Sequence, residues 1–303
     1  MSKKTTPLLF GTDPEAFAVY MKDGKPFTLP PYYFRNYLGV KASNDPRHPV
    51  FFDNGVFKFH EDGAAFEMAI KPSHNPRDLF DRIHDCADMA QEKILSKFPE
   101  DCLPILQFLP TVGFDVKRWE KEGADFFMST QFGCDPDYDA FEFEKKAQVI
   151  DAGKHPHRYG GGHIHFSGSK LIEKDPLLAV QVCAVTAGCA AVAFSDVPEL
   201  ESERTFLYGR PGKFRIQNYG KKNPFGPAYA TGIEYRTTSN RWCSDWNIAE
   251  KVFEFARMGI EELLPHKKVA DIVKDVSEKA IDAILSANQK NAMEVLEYVQ
   301  AEI

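Results

Sequence analysis

The sequence predicts an α+β protein in which helices cover one face of a mixed or antiparallel β-sheet. Strand-like segments are interrupted by only a few long helical ones, whereas a parallel sheet requires regular alternation of strands and helices. Residues 244–303 are almost continuously helical in pattern. A length of 303 residues and a hydrophobic share of 43% allow one large core. We therefore predict a core domain over residues 1–243, with the C-terminal helices, 244–303, packed on it.

The first half of the chain is predicted to be rich in strands. Residues 7–20 are apolar and aromatic around an acidic insert and lead into KDGKP, which is typical of strand, turn and strand. Residues 50–72 resemble two more strands. Asn75 and Pro76 begin an amphipathic helix to about residue 98. A strand near 104–112 and an irregular region, 113–150, follow, and we expect substrate-specific residues in that region and in PPYYFRNY.

The second half begins with a strand at HIHF, followed by an uncharged stretch at residues 176–194. That stretch approaches the length of a membrane span, but Gln181, Thr186 and a soluble-type helix start at Asp175 and Pro176 favour a buried core helix. Glycine, proline and arginine predict a long loop over 196–227. ATGIEYRTTSN is predicted to be a strand, and helices with a break near residue 265 complete the chain.

Composition limits the partners. The net charge of −7 is dispersed and forms no basic stripe, so we expect no nucleic acid partner. The six cysteines include no CxxC pair, and the N-terminus has no apolar signal region, which predicts reduced thiols, a cytoplasmic location and no membrane association. The C-terminal helices are expected to close the core or to mediate assembly of a homo-oligomer.

Polar residues recur at strand spacing. Residues i and i+2 of a strand share one face about 7 Å apart, so a doublet presents two ligands to the same side. The doublets are Asp13 with Glu15, His163 with His165, and Glu234 with Arg236, and Glu67 stands between two apolar residues. Carboxylates with one or two imidazoles suit Mg²⁺ or Mn²⁺, whereas zinc more often takes thiolates or three histidines.

Basic residues supply a complementary set. The predicted 196–227 loop holds Arg204, Arg210, Lys213 and Arg215, and arginine matches phosphate and carboxylate oxygens in a bidentate manner. The glycines at 160–162 allow a ligand to approach the backbone closely, although alone they are weak evidence for phosphate binding. Acidic strands combined with a basic loop indicate chemistry on a nucleotide.

Each feature also has a structural explanation. A single HxH is more often structural or on the surface, and an Arg-rich loop is usually a solvated surface. Asp62 with Gly63 fits a hairpin turn, and Pro14 fits an edge strand or bulge. Apolar residues bracket every doublet, however, and buried unpaired charge is costly. Convergence on a metal or an anionic ligand is therefore the better explanation.

Five motifs extend over roughly residues 8–240 in the order GTDPEAF, DGAAFE, GGGHIHFSG, YGRPGKFRIQNYG and IEYRTTSNRW. In these motifs the chain resembles the carboxylate–amine ligases with the glutamine synthetase fold, most closely the phage-type group known as phiEco32-like COOH·NH2 ligase type 2. The first doublet departs from the Glu-x-Glu of that fold because this chain has Asp13. The resemblance implies an antiparallel sheet curved around the site with helices on its outer face. It also implies a phage origin and a place in the host cytoplasm.

The resemblance implies roles for individual residues. Glu15 and Glu67 would bind one metal ion, and Asp13, His163 and Glu234 another. ATP would be contacted by His165, Gly161, Gly162, Arg210, Lys213 and Arg215. Arg236 would meet the transferred phosphoryl group, with Arg210 and Arg215 as further catalytic residues. The implied reaction joins a small-molecule or peptide carboxylate to an amine through an acyl phosphate, with ATP and Mg²⁺ or Mn²⁺, and releases ADP and phosphate.

Three other functions remain open at this point. A metal-dependent amidohydrolase would use the HxH doublet for zinc, but it predicts an early HxH followed by repeated βα units. A phosphotransferase of the guanido-kinase type belongs to the same wider superfamily, and the histidine doublet favours the ligase. A non-catalytic phage protein that keeps the fold for binding is the third, and the complete set of ligands argues against it.

Overall fold

The computed structural model describes residues 6–40, 48–95, 104–122, 137–142, 145–146 and 155–303. Within these ranges fourteen strands form one sheet. They are β1 (Leu9–Thr12), β2 (Glu15–Lys22), β3 (Lys25–Leu29), β4 (Val50–Asp53), β5 (Phe57–Asp62), β6 (Ala65–Ser73), β7 (Ile105–Gln107), β8 (Thr111–Gly113), β9 (Asp137–Asp139), β10 (Lys145–Lys146), β11 (His157–Tyr159), β12 (Ile164–Ser167), β13 (Lys213–Asn218) and β14 (Thr231–Tyr235).

The helices are α1 (Arg35–Leu38), α2 (Pro76–Leu95), α3 (Val116–Trp119), α4 (Lys170–Lys174), α5 (Pro176–Ala193), α6 (Pro198–Leu207), α7 (Trp246–Met258), α8 (Val269–Ser286) and α9 (Gln289–Glu302). A π-helical turn, Ala184–Gly188, lies inside α5, and another, Gly259–Leu263, continues α7. Short 3₁₀ turns lie at Pro31–Phe34, Glu120–Glu122, Pro227–Tyr229 and Asn240–Ser244. Several helices begin where the side chain of the preceding residue accepts a backbone N–H, as Asp175 does for α5 and Asp245 for α7.

The sheet is almost entirely antiparallel. Its main path runs β10-β9-β13-β14-β12-β1-β6-β2-β3-β8-β11, with β5 beside β6, β4 beside β5, and β7 beside β2. Among the described strands only β3 and β8 pair in parallel. The sheet curls into a half-barrel. The prediction of a mixed or antiparallel sheet with C-terminal helices is therefore confirmed at the level of architecture.

The main hydrophobic core lies between the sheet and a layer formed by α2, α5 and α7. Side chains alternate along each strand, so Phe10, Phe166, Ile233 and Phe214 point into this core and are at most 1% exposed. Burying each such side chain contributes about 1.5–3 kcal/mol. The neighbouring residues of the same strands point to the opposite, concave face.

One helix departs from the predicted arrangement. Leu200 of α6 packs on a smaller cluster that contains Phe17, Val19, Leu109 and Val112. Phe17 and Val19 have the same strand parity as Glu15, so α6 lies on the concave face, whereas α2 and α5 contact the sheet on the convex one. The expectation that all helices lie on one face is wrong for this helix.

Helix α5 is long and apolar enough to cross a membrane, with a mean hydropathy of 1.9, but 67% of it is buried inside the protein. It packs against β14, α7, α8 and α9. His163 precedes this helix and Glu234 follows it, yet their side chains lie 3.5 Å apart. Because both belong to the same face of the sheet, the core-helix interpretation fits this fold and a lone membrane span does not.

Other element predictions can be compared directly. Residues 50–72 form three strands, β4, β5 and part of β6, rather than two. The segment 196–227 is not a continuous loop, because it contains α6 and β13. The break near residue 265 is confirmed. The end of the helix predicted to reach residue 98, Cys102, Cys134 and most of the region 113–150 lie outside the described residues.

Candidate functional site

Strand register brings the polar doublets together on the concave face. In the β12–β14 and β13–β14 pairs, Glu234 stands opposite both His165 and Arg215. In the β2–β6 pair Glu15 stands opposite Glu67. Because β12, β1, β6 and β2 are successive neighbours, the two groups lie side by side. The i, i+2 spacing read from the sequence thus places the doublets on a shared surface.

The first cluster consists of Asp13, His163, His165 and Glu234. Oδ1 of Asp13 lies 3.3 Å from Nδ1 of His163 and 3.3 Å from Nε2 of His165. Nδ1 of His163 is also 3.5 Å from Oε1 of Glu234. Ligand atoms of Asp13, His165 and Glu234 all lie within 4.8 Å of one another. The geometry therefore offers the imidazole of His165 and two carboxylates to one small volume, and His163 lies beside the two carboxylates.

The second cluster consists of Glu15, Asp62 and Glu67, whose ligand oxygens all lie within 4.8 Å of one another. Glu15 is 7% exposed, and its Oε2 accepts the backbone N–H of Gly161 at 2.8 Å. The sequence pattern of Asp62 and Gly63 fits a hairpin turn, and Asp62 does end β5 at the tight connection to β6. The same hairpin brings its carboxylate to Glu67, a contact that the sequence pattern did not reveal.

Two histidines contact carboxylates of the second cluster. Nε2 of His60 lies 3.3 Å from Oε1 of Glu67, and Nδ1 of His48 lies 3.5 Å from Oδ1 of Asp62. Burial, followed by the charge of Lys58, lowers the pKa of His60 below its ordinary value. Nδ1 of His60 lies 3.1 Å from the carbonyl oxygen of Glu61, which can only accept a hydrogen bond, so a neutral imidazole presents an unprotonated Nε2 to Glu67.

Arg236 joins the first cluster from the end of β14. It is 4% exposed; Nη1 donates to Oε1 of Glu234, and Nη2 donates to the hydroxyl of Tyr208 at 3.0 Å. Nη1 of Arg215 lies 3.9 Å from the same Glu234 oxygen. The other oxygen of Glu234 accepts a hydrogen bond from the side-chain amide of Gln217. These contacts fix the orientation of a carboxylate that is only 1% exposed.

The remaining predicted basic residues differ in position. Nζ of Lys213 lies 3.4 Å from Oδ2 of Asp139, and Arg210 is exposed at the turn before β13. Arg204 is fully buried and donates to the carbonyl oxygens of Gly160, Thr237 and Thr238. Arg204 is thus a structural brace beneath the site and not a ligand-facing residue.

The three glycines are required by close packing. A Cβ on Gly160 would lie 2.2 Å from Nδ2 of Asn240, and a Cβ on Gly162 would lie 2.3 Å from the carbonyl oxygen of Ser239. A Cβ on Gly161 would meet the ring of His163 at 2.6 Å. The close approach is therefore to neighbouring protein segments, which explains the glycines without a bound phosphate.

The TTSNRW segment supports the site through side-chain hydrogen bonds to backbone carbonyl oxygens. Thr238 donates to the carbonyl of Gly162 at 2.6 Å, and Trp242 donates to the same oxygen at 2.9 Å. Asn240 donates to the carbonyl of Glu15 at 2.7 Å. This motif accordingly positions the glycine turn and the start of β2, and through them both clusters.

The electrostatics of the two clusters differ. In the first, burial opposes ionisation of Asp13, but His165 and His163 outweigh it and hold the Asp13 pKa well below its usual range. In the second, burial and the charge of Asp62 raise the pKa values of Glu15 and Glu67 well above their usual range. Carboxylates crowded in this way are stabilised by a cation that they can share.

The residues present fit divalent cations. The donor set is carboxylate oxygens with imidazole nitrogens, which suits Mg²⁺ or Mn²⁺ better than a thiolate-preferring metal. Oδ1 of Asp13 and Nε2 of His165 are buried and lie 3.3 Å apart without good hydrogen-bond geometry, and neither atom makes another hydrogen bond within the described part of the protein. Such buried polar atoms are rare without a partner. The site can therefore hold metal ions and, through Arg215 and Arg236, an anionic group beside them.

Several of these residues escaped prediction from the sequence. Asp62, Tyr208, Gln217 and Tyr219 all contact predicted site residues, and the hydroxyl of Tyr219 lies 3.4 Å from Nδ1 of His165. Gln217 and Tyr219 continue the i, i+2 series that begins at Arg215, which is the signal that could have identified them.

Comparison with known proteins adds no relative: no family model matches the chain, and no curated protein matches it significantly.

Proposed function

We propose that the protein is an ATP-dependent carboxylate–amine ligase with a glutamine synthetase-like catalytic sheet. The observation that carries this proposal is the side-by-side arrangement of two carboxylate-rich clusters with two arginines on one concave antiparallel face. The five motifs that resemble the ligase family all contribute to that face or to the segments that support it. A phage origin remains part of the proposal on the resemblance alone, and a cytoplasmic location also rests on the cysteine pattern.

Two divalent cations would be held by the first and second clusters, with Asp62 added to the predicted ligands Glu15 and Glu67. Bound there, Mg²⁺ or Mn²⁺ would supply Lewis-acid neutralisation of charge on phosphate oxygens. Asp13 and Glu234, with a histidine of the doublet, would hold one ion, and the second cluster would hold the other. ATP contacts by His165 and the basic residues 210–215 follow the resemblance, with Arg215 the nearest of these to the first cluster.

The arginines have a distinct task. A carboxylate is a poor electrophile until it is phosphorylated, and the transferred phosphoryl group carries charge spread over its oxygens. Arg236 is fixed by Glu234 and Tyr208, so its guanidinium is pre-oriented before any substrate binds. Preorganised donors stabilise developing charge without reorganising during the reaction. Arg215, which is 28% exposed, can reach an anion from the open side of the site.

The alternative functions make different demands on the fold. An amidohydrolase of the HxH type requires repeated βα units and a parallel barrel, whereas the pairings here are antiparallel with a single described exception. A guanido-kinase-type phosphotransferase would release ADP only with a guanidino acceptor. A non-catalytic binding protein would turn over no ATP with any acceptor.

One experiment separates these functions. The protein is incubated with ATP, Mg²⁺ and pools of amino acids, polyamines or peptides, and ADP, AMP, phosphate and new amides are measured. We expect amine-dependent release of ADP and phosphate together with a new amide. Amine-dependent AMP, or metal-dependent hydrolysis without ATP, would contradict the proposal.

Site variants test whether the turnover arises here. His163→Ala and Glu234→Ala are each expected to abolish ATP turnover while leaving the circular dichroism spectrum unchanged, because each removes a side chain from the first cluster. Lys251→Ala, on the exposed surface of α7, is the matched control and retains turnover. Near-normal turnover in either site variant would remove that residue from the active site.

A further inference from the structure

The strand that carries Arg215 is followed by an aromatic residue on the same face of the sheet. Tyr219 comes directly after β13, and its backbone N–H donates to the carbonyl oxygen of Ala230 at 2.8 Å, which extends the β13–β14 hairpin. Because an even number of residues separates Tyr219 from Arg215, both side chains lie on the concave face. The side chain of Tyr219 is 40% exposed, so part of its ring is open to a ligand.

The position of the hydroxyl shows how this ring lies. β14 separates β13 from β12 in the sheet, and the hydroxyl of Tyr219 lies 3.4 Å from Nδ1 of His165 on β12. The side chain therefore extends from β13 over β14 toward the first cluster instead of away into solvent. It presents an apolar ring surface beside the charged groups of the site.

The opposite end of the same strand pair is covered. Arg236 lies at the C-terminal end of β14 and donates to the hydroxyl of Tyr208, which follows α6 on the concave face. β13 runs antiparallel to β14, so Tyr219 lies at the other end of the pair. An elongated ligand with one end at the first cluster therefore extends toward Tyr219.

The spacing along β13 defines the length of such a ligand. Arg215, whose Nη1 lies 3.9 Å from a carboxylate oxygen of Glu234, marks the end at the first cluster. Tyr219 is four residues further on, about 13 Å at about 3.3 Å per residue of strand. Gln217, between them, donates its side-chain amide to Glu234. The separation is comparable to the span between the terminal phosphate and the base of an extended nucleoside triphosphate.

We propose that Tyr219 is a binding residue for the nucleotide: the base stacks on its ring while the phosphates lie at Arg215 and the first cluster. The inference rests on the proposed function, because it takes the anionic ligand of the site to be a nucleoside triphosphate. Every base has a π face, so an aromatic ring stacks on any of them. Tyr219 thus distinguishes a nucleotide from a bare polyphosphate without selecting among bases.

The test compares Mg²⁺–ATP with Mg²⁺–tripolyphosphate, which has the phosphates but no base. Binding of each to the full chain is measured by calorimetry without amine or carboxylate substrate. Tyr219→Ala should weaken ATP binding about 5- to 100-fold, the cost of losing base–aromatic stacking, and leave tripolyphosphate binding unchanged. Tyr219→Leu, which keeps apolar bulk but has no π face, should show the same selective loss. Tyr219→Phe keeps the ring and should bind ATP as the wild type does.

Ile216→Ala is the matched control. It removes an exposed apolar side chain from the same strand but on the opposite face of the sheet, so ATP affinity should be retained. Wild-type ATP affinity in folded Tyr219→Ala would overturn the inference, and so would an equal loss in Ile216→Ala. A parallel loss of ATP and tripolyphosphate binding, or a loss of ATP binding in Tyr219→Phe, would also overturn it, because Tyr219 would then act through its contact with His165.

The outcomes separate this inference from the proposed function. A protein that shows the selective loss but makes no amide would keep the inference and lose the ligase proposal. A protein that makes an amide from ATP, and whose Tyr219→Ala variant binds ATP normally, would keep the ligase proposal and lose the inference. A wild type that binds no ATP would lose both.

Discussion

Arg204→Lys gives a direct test of the brace beneath the site. The guanidinium donates through three different nitrogens, at 2.8 Å to Gly160, 2.7 Å to Thr237 and 3.1 Å to Thr238. A lysine keeps the charge, but its donors radiate from one atom, so it can reach only about one of three carbonyls that are spread around a planar fork. Roughly two buried carbonyl oxygens are then left without a donor.

The magnitude follows from those two carbonyls. Each buried acceptor left without a partner costs about 1–3 kcal/mol, so Arg204→Lys should lower the free energy of unfolding by about 2–6 kcal/mol. Urea unfolding followed by circular dichroism measures this as a lower midpoint at an unchanged slope. Complete truncation would remove all three hydrogen bonds and risks loss of folding, which is why lysine is the chosen replacement.

Arg241→Lys is the matched control. Arg241 pairs with Asp196, but its side chain is 20% exposed and that of Asp196 is 53% exposed, so water replaces much of what the fork provides. We expect a cost of no more than about 1 kcal/mol. A loss below about 1 kcal/mol for Arg204→Lys, or an equal loss for both variants, would refute the argument that three buried carbonyls depend on one guanidinium.

Three further predictions concern other parts of the protein. Asp62→Asn should weaken Mn²⁺ binding at the second cluster about tenfold or more in calorimetric titration, since it removes one of three ligand carboxylates. The control is Asp53→Asn, an exposed residue on neighbouring β4, which should leave Mn²⁺ binding unchanged. Equal Mn²⁺ affinity in the two variants would exclude Asp62 as a ligand. Burial raises the pKa of Glu201 above its usual value despite the hydrogen bond from Ser239. The stabilising contribution of the protonated Glu201 is therefore fully present below about pH 4.3, the pKa of glutamate in the unfolded chain, and is lost as pH rises through the pKa in the folded protein. The unfolding free energy of the wild type relative to Glu201→Gln should therefore fall between pH 4.5 and 8 in urea titrations, and a rise over that range would contradict this sign. Gly162→Ala should lower the melting temperature by several degrees in a thermal scan, because the added Cβ would lie 2.3 Å from the backbone carbonyl oxygen of Ser239. An unchanged melting temperature would show that the segment around Ser239 can move to accommodate the Cβ.

The sequence predicted most of the first cluster because strand periodicity is local information. Once HIHF and IEYR are identified as strands, His163, His165, Glu234 and Arg236 must alternate with core residues such as Ile164 and Tyr235, both fully buried. What local periodicity cannot supply is the pairing of strands that are far apart in the sequence. Asp62 meets Glu67 within the β5–β6 hairpin, but the contact of both with Glu15 depends on how that hairpin meets β2, so the sequence pattern indicates only a turn at Asp62.

The error over residues 196–227 has a similar physical origin. Glycine and proline around Arg210 are strong loop signals, and they outweighed the helical spacing of PELESERTF. Helix α6 is ten residues long, and Leu200 is the residue through which it packs on the smaller cluster. The charge of Arg204 groups it with the anion-binding residues in the sequence, whereas its complete burial depends on the tertiary structure.

The order of strands in the sheet has a consequence for how the protein is synthesised. Every residue of the second cluster lies within the first 67 positions of the chain, whereas the first cluster also needs residues 163–234. The contact of Thr12 with His163 closes a separation of 151 residues. Such distant closure is slow compared with hairpin formation. During translation, β2, β5 and β6 can therefore come together before β12 has left the ribosome, and the two clusters would form in sequence, second cluster first.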